Sequence, residues 1–307
     1  MLRYKSIVLI LLICVICSCK QRETHNDTAL TNTESNIKSE NTFILSEAFK
    51  SYWYSGTAEI TSFKLEQARY GELRQGSSVL VFVTEDFLPE KQVKADHFNN
   101  ANTSVLKLNM TKNFTTGIYP YSIMQSTFYP IKNKQHALKI SCSIQEWCGQ
   151  AYSQLNNKKL FEINSHSYFE SEGDQYFKLD KAVLENEIWT QLRINPSSLP
   201  TGTLKMIPSF EYIRLKHIEL KAYQALAELN ENSYSINYPD LNRTLTINFN
   251  PVFPYEITGW EDTYQDGYGL NAKTLTTKAT QLKTIKSAYW SKNKNADEVL
   301  RETLMLN

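Results

Sequence analysis

The chain has 307 residues, enough for one large domain or two ordinary ones, either with a full core. Lys and Arg number 33 against 32 Asp and Glu, a balance that gives no electrostatic case for nucleic acid, whose binders show basic patches or a strongly basic domain, so no nucleic-acid partner is expected. Aromatic residues make up 12 %, with 18 Tyr, a composition that favours half-buried pleated sheet.

Arg3 and Lys5 precede an apolar run from Ile7 to Cys17. As a helix this run rises only ~16 Å, about half of a ~30 Å hydrocarbon core, which predicts a signal peptide over residues 1–18 and not a membrane span. Ile16-Cys17-Ser18-Cys19 resembles the bacterial lipobox. The resemblance implies that Cys19 becomes the first residue of the mature chain and carries palmitate-type acyl chains, a multiple anchor that holds stably to a membrane. Lys20 stands where Asp would signal retention in the inner membrane. The resemblance therefore implies an outer-membrane lipoprotein of the cell envelope, periplasmic or surface-facing. Residues 19–42 hold almost nothing apolar beyond Ala29, Leu30 and Ile37, and read as the lipidated cysteine with a solvated tether. Within it, Asp27-Thr28-Ala29 resembles the O-glycosylation sequon of Bacteroidetes, which implies Thr28 as an acceptor.

Residues 43–307 read as a single mainly-β domain. Ser46 suits the N-cap of a short helix that puts Phe49, Tyr52 and Trp53 on one face and closes at Gly56. Period two follows. Ala58 and Ile60 share a face, and Phe63 and Leu65 continue on the opposite phase, which predicts a bulge near Ser62. Val79 to Val83 is apolar on both faces and predicts a central, covered strand. Leu106, Leu108 and Met110 alternate with polar residues, as do Leu245, Ile247 and Phe249, the latter a strand with one face to water. Further strands are expected around 118–129, 136–145, 160–169, 210–228, 255–264 and 272–285. Asp180 can cap a helix over 181–192 with Leu184, Ile188 and Leu192 in one stripe, and Asn295 to Glu298 is shaped like a capping box before a C-terminal helix. These elements predict a large antiparallel, strongly curved sheet or open barrel with a few short helices.

The stretch KISCSIQEWCGQAY holds both cysteines beyond the leader. Leu138, Ile140, Cys142 and Ile144 share one strand face, so Cys142 reads as a core thiol. A straight strand would separate Cys142 from Cys148 by ~20 Å at ~3.3 Å per residue, whereas a disulfide needs Cα atoms within about 7 Å. The oxidising compartment permits a Cys142–Cys148 disulfide only if the chain turns around Gln145–Trp147. Cys148-Gly149-Gln150-Ala151-Tyr152 echoes the papain-type signature, but its nucleophile slot holds Ala151; His166 and His217 lack recognisable flanks, and His217 reads as a strand histidine. Glu256, Glu261, Asp262 and Asp266 crowd one segment that a solvated strand and turn explain better than a Ca²⁺ site. No zinc spacing, P-loop or dinucleotide fingerprint is present, and no cofactor, metal or catalytic residue is expected.

The order SYWYSGTAEI, QARYGELRQG, VLVFVTEDFLPEKQVKAD, TGIYPYSIM, QEWCGQAY and TGWEDTY resembles a group of flavobacterial lipoproteins within the Bacteroidetes, often labelled "septum formation inhibitor Maf". Genuine Maf proteins are cytoplasmic nucleotide pyrophosphatases with a Ser-Pro-Arg-Arg motif, which this sequence lacks, so the resemblance carries no activity across. Three functions stand open. The first is a non-enzymatic outer-membrane lipoprotein, anchored through Cys19, that binds an apolar ligand or an envelope protein. The second is an assembly scaffold of the envelope. The third is a hydrolase using Cys148 or the Glu261/Asp262 carboxylates.

Overall fold

The structure, a computed structural model, describes residues 45–132 and 135–306. Cys19 and Thr28 lie outside the described residues. In chain order the elements are α1 (Glu47–Trp53), β1 (Ala58–Arg69), β2 (Glu72–Leu88), β3 (Val93–Lys94), β4 (Thr103–Thr116), β5 (Tyr119–Pro130), β6 (Lys139–Glu146), β7 (Gly149–Asn157), β8 (Phe161–Ser167) and β9 (Gln175–Leu179). After these come β10 (Val183–Leu184), α2 (Glu185–Ile194), β11 (Gly202–Ile207), α3 (Phe210–Lys216), β12 (Tyr223–Leu229), β13 (Ser233–Tyr238), β14 (Arg243–Phe249), β15 (Ile257–Asp266), β16 (Lys273–Ser287) and α4 (Val299–Thr303).

All the strands belong to one sheet, in the order β10-β11-β12-β13-β14-β15-β16-β1-β2-β4-β5-β6-β7-β8-β9, with β3 paired to β2. Every pairing is antiparallel except the short β10–β11 contact. The first and last long strands meet in the middle, where Ala58 pairs with Ser287. The two edges, β9 and β10, are separated in sequence by residues 180–182 alone. The sheet is therefore an open barrel in the form of a meander: the β1–β16 pairing joins its two halves, and among the described residues its unpaired edges are linked by three residues. Hairpins drive this order. At the β1–β2 turn Tyr70 and Gly71 both have positive φ, 58° and 75°, the requirement of the tight turn whose twist matches that of the strands.

The observed helices show what the interior needs. Ser46 caps α1 by accepting from the Phe49 N–H at 3.1 Å, and Phe49 and Trp53 are buried, as expected. The β1–β16 register shifts between Ser62 and Phe63, at the expected bulge. Above Ala58, Ile60 and Val83 lie Leu304 and Leu306 of the C-terminal segment, which covers the outer face of the central strands. Helix α2 is the interior plug: every residue but Gln191 is buried, Trp189 packs against Trp260 at 5.3 Å, and Trp260 against Phe63 at 4.9 Å.

Four expectations are corrected. The α2 helix starts at Glu185, where Glu187 accepts from the Leu184 N–H at 3.2 Å, so Asp180 is not its cap. Residues 210–216 are helix and not strand, capped by Ser209, with Glu211 and Leu215, four apart, buried along one helical face. His217 consequently ends α3 in the left-handed region at φ 51° instead of sitting in a ladder. Near the C-terminus Asp297 accepts from the Lys294 N–H at 3.0 Å, one residue before the expected cap at Asn295.

Candidate functional site

Where α2 and α3 pack on it, the inner face of the sheet is filled. Between α2, α3 and strands β4, β14 and β15 only a cavity of about 30 Å³ remains, room for a water or two. Its walls are charged, and the charges are bonded to one another. Arg243 donates to both oxygens of Glu185 at 2.6 and 2.8 Å and to both oxygens of Asp262 at 2.8 and 2.9 Å. Lys112 and Gln125 each donate to Glu211 of α3 at 2.8 Å. Burial pushes the Asp262 carboxyl up against the pull of Arg243. These charges tie helices to sheet, and a buried ion pair survives only when its members are bonded this fully.

A larger space, the seam groove, opens on the β9 side of the seam. A groove of about 400 Å³ lies between the inner face of β7–β9 and α3 with the segment after it. Phe177, Ile213, Ile218 and Leu220 line it half-buried, with Phe210 buried behind them. On the β7–β8 wall Ser153 and Ser165 hydrogen-bond to each other at 2.8 Å. At its mouth Glu172 accepts from the Ser167 hydroxyl at 2.7 Å, lies 2.8 Å from His217 Nδ1, and pairs with Arg214 at 3.1 Å. The Arg214 guanidinium also sits over Phe169 at 4.6 Å. An apolar trough with a guanidinium at its mouth suits an amphipathic guest, and 400 Å³ is within the range of small-molecule sites. Sequence patterning missed Glu172, Phe177 and Arg214, which lie in separate elements and share no local motif.

The cysteines do not meet chemically. Cys142 faces the core from mid-β6, while Cys148 is in the two-residue turn between β6 and β7; both are free thiols, so the disulfide considered from the sequence is not formed. The strand runs straight to Glu146, which is why the sulfurs stay apart. Burial raises the Cys142 thiol well above its ordinary value. Hydrogen bonding to Glu146, and then that carboxylate's charge, raises the exposed Cys148 thiol, the opposite of what an activated nucleophile needs. Glu261 and Asp262 point to opposite faces of β15: Glu261 pairs with Lys278 at the surface, while Asp262 points inward to Arg243. Neighbouring strand positions cannot serve one catalytic pair. Glu256 accepts from Gln281 at 2.6 Å and Asp266 from the Gly71 N–H at 2.7 Å, which scatters the acidic segment. Among the described residues no group of three or more His, Cys, Asp or Glu is placed to hold a metal, and no helix is long and apolar enough to cross a membrane.

The geometry defines a class: a mainly antiparallel, unclosed barrel-like sheet with a helix packed inside it. The chain matches no family model and no curated protein. Among solved structures it is similar to a beta-barrel-like protein of domain of unknown function DUF1849 from Brucella abortus, at 7 % sequence identity and a TM-score of 0.41. The similarity covers 75 % of this chain and 96 % of that chain.

Proposed function

We propose that this protein is a non-enzymatic, envelope-anchored binding protein, held to the outer membrane through Cys19, whose seam groove takes an amphipathic ligand. The observation that carries the reading is the groove between β7–β9 and α3, where apolar side chains stand half-buried beside the Glu172–Arg214 pair. The ligand's apolar body lies against Phe177, Ile213 and Leu220, and its acidic head takes the place of Glu172 on Arg214. The lipobox and polar tether support the location. The raised Cys148 thiol and the opposed Glu261 and Asp262 give a hydrolase no support.

Titrating the full chain with cis-parinaric acid, whose fluorescence rises in apolar surroundings, tests this. Saturable enhancement that is lost in Ile213→Glu, with circular dichroism unchanged, is the expected result. No enhancement, or the same enhancement in the variant, would overturn it. A scaffold role is the second reading, favoured by the filled interior with its cavity of about 30 Å³. It predicts no bound small molecule and a stoichiometric envelope protein recovered after crosslinking.

A further inference from the structure

On the outer face of β6–β8, away from the seam's inner wall, lies an open groove of about 790 Å³. Tyr152 and His166 are cross-strand neighbours in its floor, and Gln145 and Gln150 are neighbours one step nearer the turn. Tyr168 closes one side. Its backbone N–H donates to the Gln150 carbonyl at 3.3 Å, and its ring lies directly over Gly149. A Cβ at Gly149 would stand 2.8 Å from the ring, so glycine is what lets the ring lie down on the turn. Even so, Tyr168 is 77 % exposed and Tyr152 40 % exposed. The Tyr168 ring is thus backed by the chain on one side and bare on the other.

The side chains around the two rings are flat and polar. His166 Nδ1 lies 3.2 Å from Asp174, and the amides of Gln145 and Gln150 offer a donor and an acceptor each. The charged groups lining the groove are the acids Glu146 and Asp174, with no Lys or Arg among them. That combination rejects a phosphate-bearing or otherwise polyanionic guest. An apolar guest would leave the amides and the carboxylate without partners, at the cost of their hydration. A sugar ring satisfies both halves: its C–H face stacks on an aromatic ring, and its hydroxyls bond edgewise to amide, imidazole and carboxylate. The open shape admits a chain of such rings.

We infer that this outer groove is a binding site for a neutral oligosaccharide, with Tyr168 and Tyr152 as stacking platforms and Gln145, Gln150, His166 and Asp174 as hydroxyl partners. The site is separate from the seam groove and stands or falls independently of the function proposed for it.

The test is calorimetry and saturation-transfer NMR on the full chain with maltotriose, cellotriose and triacetylchitotriose at millimolar concentrations. Saturable binding of at least one, with transfer to its ring C–H protons, is the expected result. Tyr168→Ala should weaken it about tenfold, the loss of ~1.4 kcal/mol of stacking. Gly149→Val, which lifts the ring without removing it, should weaken it in the same direction. Ile213→Glu, in the seam groove, should leave it unchanged, so failure of the seam reading does not affect this outcome. Absence of saturable binding by all three sugars, or an affinity that Tyr168→Ala does not move, overturns the inference.

Discussion

Helix α2 is held to the sheet by a buried ion pair that can be cut from either side. Arg193 donates to both carboxylate oxygens of Glu59 on β1, one of them at 2.7 Å, and through Nε to the Pro254 carbonyl at 3.0 Å. Both side chains are 1 % exposed, and the guanidinium lies over Phe82 at 4.8 Å and Trp53 at 5.0 Å. The Tyr52 hydroxyl donates to the same carboxylate. Glu59→Met removes the acceptor and leaves a dry guanidinium with one carbonyl, and Arg193→Met leaves a dry carboxylate with one tyrosine. Each should cost about 3–5 kcal/mol, because an unpaired buried charge is the dominant penalty. The double variant puts two apolar chains of similar volume together and should cost far less than either single change. Urea unfolding of the four proteins, read at constant m, gives the cycle directly. Single variants within about 1 kcal/mol of wild type, or a double variant equal to the sum of the singles, would refute the clasp.

Three further outcomes follow from the same geometry. Burial alone would raise the Glu59 carboxyl, but Arg193 more than reverses this and holds it below its ordinary 4.5. Its stabilisation is therefore fully present above that value and lost as pH falls through the folded value, so the gap in urea midpoint between wild type and Glu59→Met should narrow in acid; a constant gap contradicts the pairing. Iodoacetamide followed by peptide mapping should label Cys148 in the folded protein and Cys142 only after denaturation, and Glu146→Gln should speed labelling of Cys148. Leu304→Asp, which sets a charge on the covered outer face of Ala58, Ile60 and Val83, should destabilise by about 2 kcal/mol, measured by the same urea midpoint.

Strands whose inner and outer faces differ in polarity were legible in the sequence. Leu245, Ile247 and Phe249 alternate with Thr and Asn, and the bulge at Ser62 follows from a phase change within β1. Strand β7 was not, because its residues GQAYSQLNN send only Ala151 and Leu155 to the core, too few to set a period. The α2 stripe of Leu184, Ile188 and Leu192 was visible, but Glu185, Glu187 and Arg193 beside them look like a solvated face. They are buried because each meets a partner distant in sequence: Arg243, His136 and Glu59. The seam groove was illegible for the same reason. Glu172 and Phe177 meet Arg214 of the distant α3 only in the folded chain, which no local pattern encodes.

Native mass spectrometry of the full chain, followed by denaturation, tests the proposed seam site most directly. A bound mass of several hundred daltons on the wild-type protein, released on denaturation and missing from Ile213→Glu, is the expected result. A wild-type protein of clean unliganded mass, or an adduct that Ile213→Glu retains, would contradict it.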